Sequence, residues 1–167
     1  MKYEISDLNC TNPDELALVV SHYQSCWEET YSRILSATAI QELLSQANSK
    51  EIGGWLTGDG KRKITLAHSN NQIVGAVACN CIHNRCYVWG MYVLESFQGY
   101  GVGGSLLQSC FEKAITNQCS ALEVMVIQSS TKAVEFYLSS GFAKLDQTTY
   151  EIVAGIELAS WRMERKI

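Results

Sequence analysis

The spacing of apolar side chains predicts a helix near the start of the chain, after a short strand at residues 2–7. Asn12-Pro13 indicates where the helix begins, because asparagine caps free N–H groups and proline is tolerated at the first helical position. Glu15 lies three positions after Asn12 and predicts a capping box. One helical face then carries the apolar residues Leu16, Val19, Val20, Tyr23 and Trp27.

A second set of apolar positions at helical spacing predicts a helix at residues 37–47. Beyond it, Gly53-Gly54 and Gly58-Asp59-Gly60 predict breaks in the chain, because glycine is unfavourable inside helices and strands. No segment longer than a loop follows them, so these breaks do not indicate a boundary between domains.

The middle of the chain is rich in β-branched and aromatic residues, which predicts three strands, at 63–68, 73–81 and 86–94. Asn70-Asn71 and His83-Asn84 predict the turns between them, because asparagine tolerates the backbone of tight hairpins. The strands are therefore expected to form an antiparallel meander.

Helical spacing returns after Gly101, with one apolar face made of Val102, Leu106, Leu107, Cys110, Phe111, Ala114 and Ile115. The almost wholly apolar run 122–127 is typical of a central strand that is covered on both faces. A helix at about 130–140 is expected to end at Gly141, and two further strands are predicted at 142–145 and 157–164. The order of elements predicts an α/β fold around one mixed sheet.

Length and composition indicate a single globular domain, residues 1–167, with 47% hydrophobic residues and one proline. The net charge of −4 argues against binding nucleic acid through a broad basic surface. We find neither a long apolar run nor a basic-then-apolar start, so neither a membrane span nor secretion is expected. Seven cysteines without a framework favour a reducing, cytoplasmic location.

The segment 98–104, Gln-Gly-Tyr-Gly-Val-Gly-Gly, lies between a predicted strand and a predicted helix. Glycines allow close backbone approach, and a helix N-terminus offers free N–H groups to an anion, so the segment predicts a phosphate cradle. A tight turn without a ligand is the simpler alternative. A nicotinamide or flavin dinucleotide site is disfavoured, because four residues separate Gly99 from the strand and Glu123 lies near the beginning of its own strand.

The segment resembles the acyl-CoA signature of the GCN5-related N-acetyltransferase superfamily, which Gln98, Gly101 and Gly103 match. The similarity extends upstream to Met91-Tyr92-Val93, and downstream to Ala133, Phe136-Tyr137 and Gly141-Phe142. Two positions depart from the family pattern: Glu95 stands in place of a frequent proline, and Ser130 in place of a frequent asparagine.

The resemblance implies a mostly antiparallel mixed sheet with helices on both sides, and an enzyme that transfers acetyl groups from acetyl-CoA to amines. It implies that N–H groups of 99–104 hold the CoA pyrophosphate and that an N–H group of 91–93 polarises the thioester carbonyl. The cofactor-binding residues expected from it are Met91, Tyr92, Val93, Gln98, Gly99, Tyr100, Gly101, Val102, Gly103, Gly104, Ser130 and Tyr137.

Two catalytic residues are candidates. Tyr137 would be the general acid that protonates the departing thiolate, unless it is simply core packing. Glu123 would be the general base, because a carboxylate inside an apolar strand usually has a function there. Glu28, Glu29 and Glu95 are alternatives to it, and a solvated or ion-paired role remains open for all four carboxylates.

The acceptor is expected to be a small molecule or a peptide with a primary amine. Trp27, Glu28, Tyr31 and Tyr150 would form an aromatic and acidic cleft for a cation, although Trp27 and Tyr31 also fit a buried helix stripe. A homodimer is compatible with the resemblance. A non-catalytic module that binds acyl-CoA as a sensor is the alternative function.

Cys79, Cys81, His83 and Cys86 are the one cluster of metal-ligand residue types in the sequence. The spacing lacks the C-x-x-C pair of common zinc sites, and alternation along a strand accounts for the cysteines. No metal site is therefore predicted.

Overall fold

The computed structural model describes residues 2–9, 11–57 and 62–167 of the chain. The strands are β1 (Glu4–Asp7), β2 (Lys63–Ser69), β3 (Gln72–Ile82), β4 (Arg85–Val93), β5 (Ala121–Ile127), β6 (Ala143–Val153) and β7 (Ile156–Lys166). The helices are α1 (Pro13–Tyr31), α2 (Ala37–Gln46), α3 (Ser49–Thr57), α4 (Val102–Thr116) and α5 (Thr131–Ser139), with a 3₁₀ turn at Glu95–Phe97.

All seven strands join in one sheet, in the order β1-β2-β3-β4-β5-β7-β6. Only the β4–β5 pair is parallel, and every other neighbouring pair is antiparallel. One buried core joins the sheet to α4 and α5, and a second joins the opposite face to α1, α2 and α3. The predicted mixed, mostly antiparallel sheet with helices on both sides is confirmed.

The predicted start of α1 is confirmed in its cap and corrected in one contact. The Asn12 side-chain oxygen accepts from the N–H groups of Asp14 and Glu15, at 3.1 and 3.3 Å, and Pro13 is the first helical residue. The Glu15 carboxylate does not complete a capping box. It accepts instead from the N–H group of Asn9 at 2.8 Å, which ties the preceding loop to the helix.

The break predicted at Gly53-Gly54 is wrong, because both glycines lie inside α3. The helix is stabilised by tertiary packing: Ile52 is fully buried, and Trp55 and Leu56 pack against the same core. Glycine costs a helix only about 0.5–1 kcal/mol relative to alanine, which such burial readily offsets. The other predicted break, Gly58-Asp59-Gly60, lies outside the described residues.

Both predicted hairpin turns are confirmed. Asn70 and Asn71 have φ of 50° and 62°, and His83 and Asn84 have φ of 49° and 65°. Two consecutive positive φ values match the twist of flanking antiparallel strands. The last hairpin is longer than expected: its two strands each span eleven residues, where the sequence pattern predicted short runs.

The two central strands, β4 and β5, separate about halfway along their length. Their parallel pairing runs from Arg85↔Ala121 to Val88↔Val124 and then stops, although β4 continues to Val93 and β5 to Ile127. The register between β3 and β4 shifts between Ala78 and Cys79, which leaves Trp89 as an extra residue in β4. Such a bulge bends its strand. The result is a gap in the middle of the sheet.

Candidate active site

The gap between β4 and β5 exposes main-chain hydrogen-bonding groups. Leu94 donates its N–H to Val74 O in the neighbouring strand at 3.0 Å, so in an antiparallel ladder the groups of Met91 and Val93 point the other way. That direction is towards the part of β5 with which β4 no longer pairs. Residues 91–93 thus lie at an open strand edge.

The loop after β4 leads directly into the glycine segment. The 3₁₀ turn occupies the four-residue spacer that separates Gly99 from the strand. The Gln98 side-chain amide donates to Val93 O at 3.0 Å and so ties the loop to the strand end. Gly99 and Gly101 have φ of 80° and 85°, in the left-handed region where a side chain would be strained.

Several consecutive N–H groups at the start of α4 have no backbone partner. Within the described ranges, none of the N–H groups from Gly99 to Gly104 donates to a loop carbonyl, and Ser105 is the first to do so, to Gly101 O at 3.0 Å. Gly101 caps the helix without any side-chain bond. Free N–H groups and the positive end of a fifteen-residue helix together form a site for an anion.

Glycine at positions 103 and 104 leaves room for two different reasons. A Cβ on Gly103 would meet the Phe136 ring at 3.4 Å, so glycine allows α4 and α5 to approach each other there. A Cβ on Gly104 would meet nothing within 4 Å. The surface beside Gly104 is therefore open to a ligand. Tyr100 and Val102 lie on opposite sides of this turn, Tyr100 more than half exposed and Val102 buried.

Tyr137 lies on α5, on the same side of the sheet as α4, and is 5% exposed. Its ring packs edge-on against Phe136 and Phe142, each with centroids 5.2 Å away. Burial raises the pKa of its hydroxyl above the usual value of 10. The phenol thus stays protonated at neutral pH, as a general acid must.

Ser130 occupies the N-cap of α5, but its hydroxyl makes no capping bond. It is partly exposed and lies after the end of β5, close in sequence to the gap. The hydroxyl is therefore free of a helix-capping role.

Glu123 lies on β5 beside Tyr87, in the part that is still paired with β4. Its side chain is 8% exposed and contacts the Arg85 guanidinium at 2.5 Å, with Arg162 at 4.0 Å. Arg85 also holds Glu164. Of the two candidate catalytic residues, Tyr137 packs with one core and Glu123 belongs to an ion-pair network on the opposite face of the sheet.

The predicted acceptor residues divide into two groups. Trp27 and Tyr31 are buried on α1, and the Tyr31 hydroxyl is 3.1 Å from the hydroxyl of Tyr92 on β4. Tyr150 packs against the same core from the last hairpin. Glu28 is exposed on α1, whereas Trp27 and Tyr31 are buried. Glu28 is therefore not part of the buried aromatic cluster.

The charge that does lie among these rings is positive. The Arg62 guanidinium stacks on Trp55 and Trp89, 5.1 and 4.4 Å from their centroids. Trp89 is held by a hydrogen bond from its indole N–H to Asn80. Sequence reasoning missed Arg62, because nothing in its neighbourhood along the chain indicates that two distant tryptophans enclose it.

The cysteines of the predicted strand alternate as expected. Cys79 is buried among the α4 side chains, Cys81 is partly exposed on the same face, and His83 lies in the turn. Cys86, on β4, pairs with Cys81 across the sheet. In the portion that the structure describes, no group of three or more histidine, cysteine, aspartate or glutamate side chains is arranged to hold a metal ion.

Solved structures with the same fold are acetyltransferases. The PaiA N-acetyltransferase of Thermoplasma acidophilum, solved with coenzyme A, is 17% identical with a TM-score of 0.83, and the alignment covers 100% of both chains. The ribosomal-protein-S18-alanine N-acetyltransferase of Escherichia coli is 16% identical with a TM-score of 0.73 over 99% of this chain and 94% of that one. At these identities the likeness shows the fold.

The profile of the family described as acetyltransferase (GNAT) domain matches residues 29–165. This chain therefore belongs to the GNAT acetyltransferase family, as its motifs predicted. An uncharacterized N-acetyltransferase of Archaeoglobus fulgidus is 29% identical over 92 residues, 51% of this chain and 63% of that protein. A human spermidine/spermine N(1)-acetyltransferase-like protein 1 is 31% identical over 55 residues, which cover 33% of this chain but only 8% of that protein.

None of the helices found in the described ranges combines the length and the apolar character that crossing a membrane requires.

Proposed function

We propose that residues 1–167 act as one catalytic domain that transfers an acetyl group from acetyl-CoA to a primary amine of a small molecule or peptide. Transfer would be direct, with both substrates bound together. The observation that carries the proposal is the run of unpartnered N–H groups at Gly99–Gly104, which adjoins the gap between β4 and β5. This combination suits a long cofactor with a diphosphate at one end and a thioester at the other.

Different cofactor-binding residues would contact different parts of the long cofactor. The N–H groups of 99–104 would bind the diphosphate, with the helix dipole adding a favourable field. The open edge at Met91 and Val93 would pair with the amide-bearing arm, and an N–H group there would polarise the thioester carbonyl. Gln98 would hold the loop in place, and the free hydroxyl of Ser130 would face the cofactor near the end of β5.

The reaction needs one bond to form and one to break. Acetyl-CoA, when bound, would supply an activated acetyl thioester. The neutral amine nitrogen would attack the carbonyl carbon, and the C–S bond would then break. The Tyr137 hydroxyl would give its proton to the departing sulfur. Its burial supports this role, because it raises the pKa of the phenol and keeps the phenol protonated.

A base must take one proton from the ammonium group before the neutral nitrogen attacks, and the nitrogen would lose a second proton to water after the attack. Glu123 remains the proposed base, acting through a water molecule, because it lies on the same face of the sheet as the aromatic cleft. Its ion pair with Arg85 gives the rival interpretation, in which the carboxylate only joins the strands. Substitution of the two partners separately distinguishes the roles.

The acceptor would bind on the α1 side of the gap, between α1, α3 and the last hairpin. Trp27, Tyr31 and Tyr150 would form its aromatic wall, and Glu28, which is exposed on α1, is not part of it. The proposal includes a cytoplasmic location, which the free thiols of the described cysteines support, and a homodimer, which sedimentation of the purified chain tests.

A non-catalytic acyl-CoA sensor is the second candidate function. The observation that favours it is the ion pair between Glu123 and Arg85, which leaves the candidate base already occupied by a guanidinium group. Both functions require the diphosphate cradle, so cofactor binding alone does not separate them.

The experiment is a titration of the protein with CoA and acetyl-CoA, followed by measurement of CoA release with a panel of amines. Binding with amine-dependent release supports the enzyme, and binding without release supports the sensor. NAD is the control ligand, because a dinucleotide also carries a diphosphate. If neither CoA form binds at millimolar concentration, both functions are wrong.

A further inference from the structure

We propose that the acceptor carries a carboxylate, as a free amino acid does, and that Arg62 binds this carboxylate beneath the aromatic cleft. The inference rests on the proposed acetyltransferase function and names the chemical class of its acceptor. It replaces the acidic cleft for a cation, which the sequence predicted, with a pocket that selects a negatively charged group.

The position of the Arg62 charge supports a carboxylate ligand. Its guanidinium lies between the faces of Trp55 and Trp89, and no carboxylate of the described residues forms a salt bridge with it. A partly buried charge normally has an opposite partner, because removing it from water is costly. The stacked arginine still has its N–H edge available, and that edge matches a carboxylate in geometry.

A pair of buried hydrogen-bond donors close to Arg62 also supports a carboxylate ligand. The Tyr23 hydroxyl and the Trp27 indole N–H are buried, and neither has a hydrogen-bond partner among the described residues. Their rings are 5.7 Å apart, and Tyr23 also touches the Trp55 ring at 5.9 Å. Buried polar groups in native proteins are nearly always paired. Two unpaired donors beside a cation indicate a site built for an acceptor of hydrogen bonds.

The cluster of Arg62, Tyr23 and Trp27 also lies close to the gap between β4 and β5. Tyr23 contacts Tyr92 with centroids 5.8 Å apart, and Tyr92 belongs to the stretch of β4 that borders the gap. The field of Arg62 reaches the hydroxyl groups of Tyr23 and Tyr150. The cation, the two donors and the edge of the proposed thioester site thus belong to one group of packed side chains. A small amine held there by its carboxylate would keep its nitrogen near the gap.

Neither Glu123 nor Glu28 forms an ion pair with Arg62. Glu123 pairs with Arg85, and Glu28 is exposed on α1. A polyamine without an acidic group would bring only positive charges towards Arg62, and like charges repel. The arrangement therefore favours amino acids over polyamines.

The experiment compares matched ligands with the CoA-saturated protein. Lysine is paired with cadaverine, ornithine with putrescine, and phenylalanine with phenethylamine, with each amino-acid amide as a third member. Binding is followed by tryptophan fluorescence, to which Trp55 and Trp89 contribute, and acetylation by product mass. The amino acids are expected to bind about tenfold or more tightly than their decarboxylated and amidated partners, since charge-assisted bonds are lost in both.

Arg62→Gln is the test variant and Lys63→Gln, an exposed neighbour, is its matched control. We expect Arg62→Gln to abolish the preference for the carboxylate while CoA affinity stays unchanged, and Lys63→Gln to leave both intact. Equal or tighter binding of the decarboxylated amines overturns the inference. So does the absence of carboxylate binding at ~10 mM, or a preference that survives in Arg62→Gln. Failure of CoA itself to bind overturns the proposed function instead.

Discussion

The carboxylate of Glu123 lies 2.5 Å from the guanidinium of Arg85, across the last stretch where β4 and β5 still pair. The contact joins the two strands just before they separate. It also makes two roles for Glu123 distinguishable, because only one of them needs Arg85.

Substitution of the two ion-pair partners separates catalysis from structure. If Glu123 is the base, Glu123→Gln lowers kcat/KM about 100-fold or more. Arg85→Gln leaves the carboxylate in place and should retain most of the activity. Steady-state kinetics across pH, together with Tm, measures both effects. Equal losses of activity and of Tm in both variants would show that the pair only holds the strands.

Removal of the Tyr137 hydroxyl should affect turnover and not cofactor binding. We expect Tyr137→Phe to lower kcat by about 10²–10⁴-fold, because the departing thiolate loses its proton donor. The ring stays, so its packing on Phe142 and the Kd for acetyl-CoA should be unchanged. An unaltered kcat would assign Tyr137 to the core alone.

Alanine at position 104 should separate stability from cofactor affinity. The new methyl group meets no protein atom within 4 Å, and glycine in a helix costs about 0.5–1 kcal/mol relative to alanine, so Tm should rise by about 1–4 °C. A bound cofactor at this surface would collide with the methyl group, so affinity should fall about tenfold or more. Calorimetry measures both quantities.

Gly54→Ala is the matched control for that variant, because Gly54 is also helical and also has open space around its Cβ position. It should raise Tm without changing CoA affinity. An unchanged affinity in Gly104→Ala would contradict a cofactor at the start of α4.

His22 should make stability depend on pH. Its ring is 5% exposed, and burial lowers its pKa, against a hydrogen bond to the backbone oxygen of Tyr92 that raises it. A lowered pKa in the folded protein means that the unfolded chain binds the extra proton first. Stability is therefore complete above about pH 6.5 and falls as the pH drops below it towards the folded pKa.

Urea unfolding at pH 7.5 and 5.5 measures this dependence. The loss between these two values should be smaller in His22→Gln than in the native chain. His83→Asn is the control, since His83 lies in a hairpin turn whose left-handed backbone asparagine also adopts. Identical pH dependence in all three proteins would contradict the assignment to His22.

Local chemistry made much of the fold predictable. Asn12 caps α1, Gly141 ends α5 with φ of 86°, and Asn70-Asn71 turns a hairpin, each through contacts between residues a few positions apart. The glycine segment was recognisable for the same reason, because its left-handed glycines and its helix start lie within seven residues. Features that are stabilised by residues a few positions apart can be predicted without knowing which distant residues pack against them.

Where a feature depends on residues that are distant along the chain, the sequence pattern predicted it wrongly or not at all. The helical state of Gly53-Gly54 is stabilised by burial of Ile52 in a core assembled from distant elements. The ion pair of Glu123 requires the register of two strands, and the sequence could not say that Arg85 lies beside it.

The sequence by itself determined the class of protein, through the order of its elements and one glycine-rich turn. Tertiary structure alone decided which charge lies beside the proposed acceptor site: Glu28 is exposed on α1, and Arg62 lies between Trp55 and Trp89. The physical reason is that charge acts through space. Its sign at a site depends on which side chains the folded backbone brings within a few ångströms, whatever their separation along the chain.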